Sequence, residues 1–314
     1  MFKQWRYMLL AGLAVAITLF ISACGGGSTT TGGSTPSSGG STTTASTLGT
    51  PGSYNCVSGS LVASGSTALA PLVQAVAQKY QGRCSGAHIT VNLGGSKTGL
   101  ANVEAGSVGI GDSDVFASSA QSDLVDHQVA VVIFGMIVNS KAGVTNLTTA
   151  QIQGIYAGTY KNWNQVGGAN VPIVVVSRPA SSGTRATFQT YINMGPEKIT
   201  GPSSLVSDST GTVVTEVAQT AGAIGYAATG PAKKNSGVTL LSIDGNAPTA
   251  ANCESNTYKF WNIEHMYTKG QPSQLAQALI DYMNSSDGQA AAASQDFILL
   301  PSMQPSAVQA HQGH

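Results

Sequence analysis

Arg178 stands four residues ahead of Ser182-Gly183-Thr184, in a stretch reading Arg-Pro-Ala-Ser-Ser-Gly-Thr-Arg that follows the β-branched run Ile173-Val174-Val175-Val176. A Ser-Gly-Thr turn that opens a helix presents unpaired backbone N–H groups and two hydroxyls at the positive end of the helix dipole. A guanidinium beside it adds a forked positive charge, so the chemistry on offer is recognition of an oxyanion. Two upstream loops have the same character, Gly65-Ser66-Thr67-Ala68 and Gly94-Gly95-Ser96-Lys97-Thr98-Gly99. Lys97 does not make the second a nucleotide P-loop, because that motif needs glycine directly before the lysine and again five positions earlier. Here those positions hold Ser96 and Val91. Asp114, in Gly111-Asp112-Ser113-Asp114, has two readings. It caps a helix starting at Val115, or it accepts a hydrogen bond from a protonated anion, since only a protonated oxyanion can donate to a carboxylate. Arg185 is either a solvent-facing residue of the first helical turn or a partner of Asp114.

The elements that must position these loops alternate. Gly59-Ser60-Leu61-Val62-Ala63 reads as a short strand, and Leu69, Leu72, Val73, Val76 and Tyr80 repeat at helical spacing after a cap at Ser66 or Thr67. Ile89 to Leu93 is a second strand, Thr98 to Glu104 a short helix and Val108 to Ile110 a third strand. Val129 to Val138 is nearly all apolar, as in a strand buried on both faces. Helices are expected at 148–156, 184–192, 210–219 and 274–284, with strands at 173–176 and 223–226 between them. This order predicts an α/β fold of mainly parallel open sheets, with ligands at the carboxyl ends of strands.

The ends of the chain carry a different message. Lys3 and Arg6 precede an uncharged apolar run from Met8 to Phe20 and then Ile21-Ser22-Ala23-Cys24, which reads as an export signal over residues 1–24. The run is shorter than the roughly 20 residues of a membrane-spanning helix. Ile-Ser-Ala-Cys resembles the bacterial lipoprotein processing box, which makes Cys24 the lipidated mature terminus. Of the 26 residues from Gly25 to Thr50, 23 are Ser, Thr or Gly, too polar to offset their ordering entropy, so residues 25–53 are expected to be a disordered tether. A flexible chain of that length reaches on the order of 30 Å. Cys56, Cys84 and Cys253 remain, one pair and one left over, in a chain bound for an oxidising compartment. Sequence does not fix connectivity. Cys56 with Cys84 is favoured, because a strand followed by a returning helix brings them to the same end.

Charged residues are 9% of the chain, against a typical share of about 25%, and the formal net charge is zero, which excludes a basic field for nucleic acid. The five histidines lie at no zinc-ligand spacing, and neither Gly-x-Ser-x-Gly nor Ser-x-x-Lys occurs to mark a serine hydrolase. No cofactor, metal or catalytic residue is expected.

Taken in order, Gly65-Ser66-Thr67-Ala68-Leu69-Ala70-Pro71, Gly94-Gly95-Ser96, Gly111-Asp112-Ser113-Asp114, Asn162-Trp163-Asn164-Gln165-Val166-Gly167-Gly168, Arg178 with Ser182-Gly183-Thr184, and Ala223-Ile224-Gly225-Tyr226 resemble the phosphate-binding lipoproteins of bacterial high-affinity phosphate ABC transporters. The resemblance covers most of Leu61 to Tyr226. It implies a periplasmic-binding-protein-like fold, two α/β lobes joined by hinge strands with the ligand in the cleft between them. Residues 54–138 and 243–309 would form lobe I, 139–242 lobe II and 310–314 a disordered tail. Carried over residue by residue, it implies phosphate contacts from Thr67, Ala68, Ser96, Asp114, Arg178, Ser182, Gly183 and Thr184. Many relatives have an acidic residue where this chain has Gly109, and Asp112 stands nearby, so the reader of the ligand's proton is Asp112 or Asp114. The partners implied are inorganic phosphate, an ABC permease and, through the lipid anchor, the outer face of the cytoplasmic membrane, for a monomer. Competing readings are a receptor for sulfate, molybdate or tungstate, a secreted phosphate-ester hydrolase, and a sensory or adhesion module.

Overall fold

A computed structural model of the chain describes residues 54–195, 197, 205–207 and 209–312. The signal, Cys24 and the tether lie outside the described residues. The first part of the chain contributes β1 (Gly59–Gly65), α1 (Ala70–Arg83), β2 (Ala87–Leu93), α2 (Ser96–Glu104), β3 (Ile110–Ser113) and β4 (Leu124–Asn139). The middle contributes β5 (Asn146–Leu147), α3 (Thr149–Tyr156), β6 (Val174–Ser177), α4 (Gly183–Tyr191), β7 (Leu205–Val206), α5 (Thr210–Gln219), β8 (Ala223–Ala228), α6 (Thr229–Lys233), β9 (Val238–Leu240) and β10 (Ser242–Ile243). The chain then returns through α7 (Ala250–Glu254), β11 (Trp261–Lys269), α8 (Gln274–Met283), α9 (Ser286–Ser294), β12 (Phe297–Ile298) and α10 (Pro305–His311).

The sheet runs in the order β2-β1-β3-β11-β4-β8-β6-β7. β1 is parallel to β2 and β3 at one end, and β6 is parallel to β8 and β7 at the other. Between them β4 does double duty. Its residues 124–133 pair antiparallel with β11, whereas 134–138 pair antiparallel with β8. One long strand therefore belongs to both halves of a two-lobed α/β fold, which explains why Val129 to Val138 carries no alternation: it is buried on both faces throughout.

The helix pattern read from α1 holds, with Leu69, Leu72, Val73, Val76 and Tyr80 all fully buried. Each such side chain contributes about 1.5–3 kcal/mol on leaving water. α3 starts at a reciprocal cap, the Thr148 hydroxyl accepting from Gln151 N–H while Gln151 reaches back to Thr148 N–H. A second apolar cluster, Ile137, Val176, Val213, Val214 and Val217 among its members, packs α5 onto β6 and β4.

Cys56 and Cys84 form a disulfide, and Cys253 is a buried free thiol whose burial pushes its pKa up to about 12. Two boundaries move. α2 begins at Ser96 and not Thr98, and Ser66 caps the turn ahead of α1, its Oγ accepting from Ala68 and Leu69 N–H at 3.0 and 2.9 Å. His311, placed by sequence in a disordered tail, ends α10 with its ring buried, 3.5 Å from the Trp261 ring and 4.2 Å from that of Tyr191. Among the described residues, no helix is long and apolar enough to cross a membrane.

Candidate functional site

Each predicted loop follows the carboxyl end of a strand that pairs in parallel: Ser66-Thr67-Ala68 after β1, Gly94-Gly95-Ser96 after β2, Asp114 after β3 and Arg178 after β6. That is the rim where open α/β sheets bind ligands. The two halves meet there backbone to backbone, Lys97 N–H donating to Ser181 C=O at 3.1 Å. Gly95 permits this approach. It has φ +85°, and a Cβ on it would lie 2.8 Å from Ser181 O.

Side chains then cross the same gap. Arg178 is 1% exposed; its Nη2 donates to Thr67 Oγ1 at 3.0 Å and its Nε to Ser207 C=O at 2.9 Å. Thr67 Oγ1 also accepts from Thr210 N–H at 3.1 Å. Asp114 Oδ2 accepts from Thr184 Oγ1 at 3.0 Å, Oδ1 accepts from Ser66 Oγ, and Asp114 N–H donates to Ser96 Oγ at 3.0 Å. Ser182 caps α4, its Oγ accepting from Arg185 N–H at 3.2 Å. Gly183 lies in tight contact with the first half, because a Cβ there would sit 2.3 Å from Ser96 Oγ and 2.9 Å from Asp114 Cβ. The eight residues proposed from sequence therefore converge. With them come the first turns of α2, α4 and α5, whose dipoles favour negative charge.

Asp114 is not a helix cap, for the next element after it is β4. Burial raises its pKa; the Ser66 and Thr184 hydroxyls and the Arg178 charge oppose the rise. Asp112 is buried too. Neither of its carboxyl oxygens has a hydrogen-bond partner among the described residues, and desolvation together with the Asp114 charge lifts its pKa to about 8. The hydroxyl network thus engages Asp114 and passes Asp112 by. Lys97 is exposed. Arg185 takes neither of its two expected roles. Its Nε pairs with Glu197 Oε1 at 2.9 Å and its Nη1 donates to Arg178 C=O at 2.9 Å, so it braces the loop from behind. Glu197 also accepts from Ser177 Oγ, Gln189 Nε2 and the Tyr226 hydroxyl.

Sequence reasoning missed Ser207, Thr210, Asn262 and Glu264. Ser209-Thr210-Gly211 repeats the small polar helix opening seen at Ser182-Gly183-Thr184 and was a usable signal. Asn262 Nδ2 donates to Asp114 C=O at 2.7 Å and Glu264 is fully buried. Both lie on β11, where every residue from Trp261 to Tyr267 is buried, and nothing in the sequence of that segment marks them out. Among the described residues no group of three or more His, Cys, Asp or Glu is arranged to hold a metal ion.

The fold and the converging rim are those of a solute-binding protein. Residues 34–287 match the PBP superfamily domain. Over 234 residues the chain is 45% identical to the phosphate-binding protein PstS of Bacillus subtilis, covering 73% of this chain and 77% of that one. Among solved structures it is similar to a proposed phosphate ABC transporter substrate-binding protein from Clostridium perfringens with bound phosphate (TM-score 0.72, 28% identity, 77% of this chain and all of that one). An ABC-type phosphate transport receptor from Vibrio cholerae is similar at TM-score 0.62 and 26% identity, over 76% of this chain and 99% of that one. The chain belongs to the PstS family of phosphate-binding proteins within the PBP superfamily.

Proposed function

We propose that this protein captures inorganic phosphate outside the cytoplasmic membrane and delivers it to the permease of an ABC transporter, held at the membrane by a lipid on Cys24. It does no covalent chemistry. The observation that carries the reading is the pairing of one buried arginine with one buried, hydroxyl-braced carboxylate at the meeting of two strand-to-helix rims. Arg178 supplies charge, and Thr67, Ser96, Ser182 and Thr184 supply hydroxyls. Amides of Ala68, Gly183 and Thr184 lie at helix openings and serve as donors once the ligand competes for them. Asp114 accepts the ligand's own proton. Sulfate has no proton to give at neutral pH and would face the carboxylate as like charge, and sites built around such a bond discriminate by roughly 10⁴.

The relatives support this reading by their names, and the B. subtilis protein does so over most of the chain. A micromolar complex corresponds to about 8 kcal/mol, within reach of a few charge-assisted bonds in a dehydrated, preorganised site. The test is calorimetric titration of anion-free protein with phosphate and then sulfate at neutral pH. One-to-one binding of phosphate with sulfate rejected is the expected result. Preference for sulfate would reassign the protein to another oxyanion, and absence of binding to either would favour a sensory or adhesive role.

A further inference from the structure

β3 and β11 run antiparallel with Met266 opposite Asp112 and His265 opposite Ser113. Glu264 precedes His265 and Asp114 follows Ser113, so both carboxyls lie just past the end of that ladder, where β11 carries an irregularity between Glu264 and His265. Glu264 is fully buried, and among the described residues neither of its carboxyl oxygens meets a hydrogen-bond donor. What it meets is the Asp114 carboxyl, with Asp112 close enough to add to the repulsion. Two carboxylates are both acceptors and cannot pair unless one of them keeps a proton. The surroundings decide which one. Asp114 receives the Ser66 and Thr184 hydroxyls and feels the Arg178 charge, all of which favour its anion. Nothing comparable favours an anion at Glu264. Of the other elements packed near it, β4 carries Asp126, which His265 engages at 2.8 Å, and α2 carries Lys97 and Glu104, both exposed.

We propose that Glu264 is a neutral carboxylic acid that donates its proton to the Asp114 carboxylate, a positioning residue that keeps Asp114 ionised and aimed at the ligand. It rests on the reading of Asp114 as acceptor of the ligand's proton. Burial and the neighbouring Asp114 and Asp112 charges raise the pKa of Glu264 well above the carboxylate range, in agreement with that geometry. With Asp112 held neutral by burial, ionised Asp114 and Glu264 together would still leave an excess of negative charge beside one buried arginine where an anion must enter. A proton fixed on Glu264 removes one of those charges and adds a third donor to Asp114 beside the two hydroxyls.

The experiment is phosphate affinity against pH, by calorimetry, for the wild-type protein and the variants Glu264→Met and Glu264→Gln. The ligand's own ionisation is common to all three and cancels in the comparison. Methionine has similar bulk and no proton to donate, so the acid limb of binding should move up by about one pH unit as Asp114 becomes easier to protonate. Sulfate discrimination should fall with it. Glutamine keeps a neutral donor and should restore most of both properties, which a merely space-filling role would not require. An unmoved acid limb in Glu264→Met, or Glu264→Gln no better than Glu264→Met, overturns the inference. Infrared spectra in an Asp112→Asn background, which removes the other protonated carboxyl, cover a variant that fails to fold: a protonated-carboxyl band at neutral pH, lost when Glu264→Gln is added, is expected, and its absence from the Asp112→Asn protein refutes a neutral Glu264. Wild-type protein that binds no phosphate would instead sink the functional reading, while the infrared result would still report on the proton.

Discussion

Thr184 Oγ1 donates to Asp114 Oδ2 at 3.0 Å, joining residues 70 positions apart and tying the first turn of α4 to the end of β3. The contact binds one half of the fold to the other through the carboxyl group assigned to the ligand's proton. An Asp114 held this way has its two oxygens aligned by Ser66 and Thr184, so little reorganisation is needed when an anion takes up the remaining lone pairs.

Asp114→Asn is therefore expected to change selectivity more than fold. The amide fills the same space, removes the negative charge and adds donors, so sulfate gains while phosphate loses its charged acceptor. Competition titrations should show most of the roughly 10⁴ preference gone. An undiminished preference would move the proton-reading role to Asp112.

Arg178→Lys should cost more than a conservative exchange suggests. The guanidinium reaches Ser207 C=O and Thr67 Oγ1 at once, at 2.9 and 3.0 Å, a span a single ammonium cannot reproduce. Losing part of a buried charge network costs about 2–5 kcal/mol, so phosphate affinity should drop by roughly 30-fold or more, with near-native circular dichroism. Affinity within a few-fold of wild type would remove Arg178 from the ligand set.

Gly183→Ala separates closure from folding. The added methyl would meet Ser96 Oγ at 2.3 Å and Asp114 Cβ at 2.9 Å, both in the opposite half, while the helix it starts tolerates alanine. Such overpacking costs about 1–3 kcal/mol. It should appear as a 5- to 150-fold loss of phosphate affinity and a more open particle in solution scattering. A variant with wild-type affinity and scattering would contradict the tight contact.

Much of this site was legible in the sequence because its signals are local. Arg178 and Ser182-Gly183-Thr184 lie on one turn between β6 and α4, and the small polar residues after β1 and β2 mark strand-to-helix turns wherever they occur. What stayed hidden depends on distant pairing. Glu264 comes near Asp114 only because β11 pairs with β3, and no periodicity in its own segment reports that pairing. Glu197 lies in a polar stretch without pattern and acquires meaning from the Ser177, Arg185 and Tyr226 groups that the fold brings to it. His311 is ordered by stacking on Trp261, a contact no short-range rule foretells.

Asp112 carries a prediction about stability and pH. Burial and the Asp114 charge push its folded pKa up to about 8 from the ordinary 3.8, so between those pH values the folded protein holds a proton that the unfolded chain has released. Stability from this group is fully present below about pH 4 and is lost as pH rises toward 8. Asp112→Asn removes that loss. Denaturant midpoints of variant and wild type should diverge progressively from pH 4 to pH 8, the variant becoming the more stable by at most about 4 kcal/mol near pH 7, and run parallel above pH 8. A constant difference across the range would mean that Asp112 is ionised in the folded state throughout.

The Cys56–Cys84 bridge should affect stability without affecting recognition. It joins the residues before β1 to the end of α1, whereas Thr67 and Ala68 lie at the opposite end of that strand-helix unit. With its ends separated by 28 positions in sequence, its removal frees loop entropy in the unfolded chain by about 3–4 kcal/mol in the chain-entropy model. The double variant Cys56→Ser with Cys84→Ser should unfold at lower denaturant than oxidised wild type by a corresponding margin. Its phosphate affinity, measured well below that midpoint, should stay within a few-fold, because β1 remains paired along its whole length with β2 from Gly59 to Gly65. A large affinity loss in the folded double variant would mean that the bridge fixes the position of the β1 rim as well as restraining the unfolded chain.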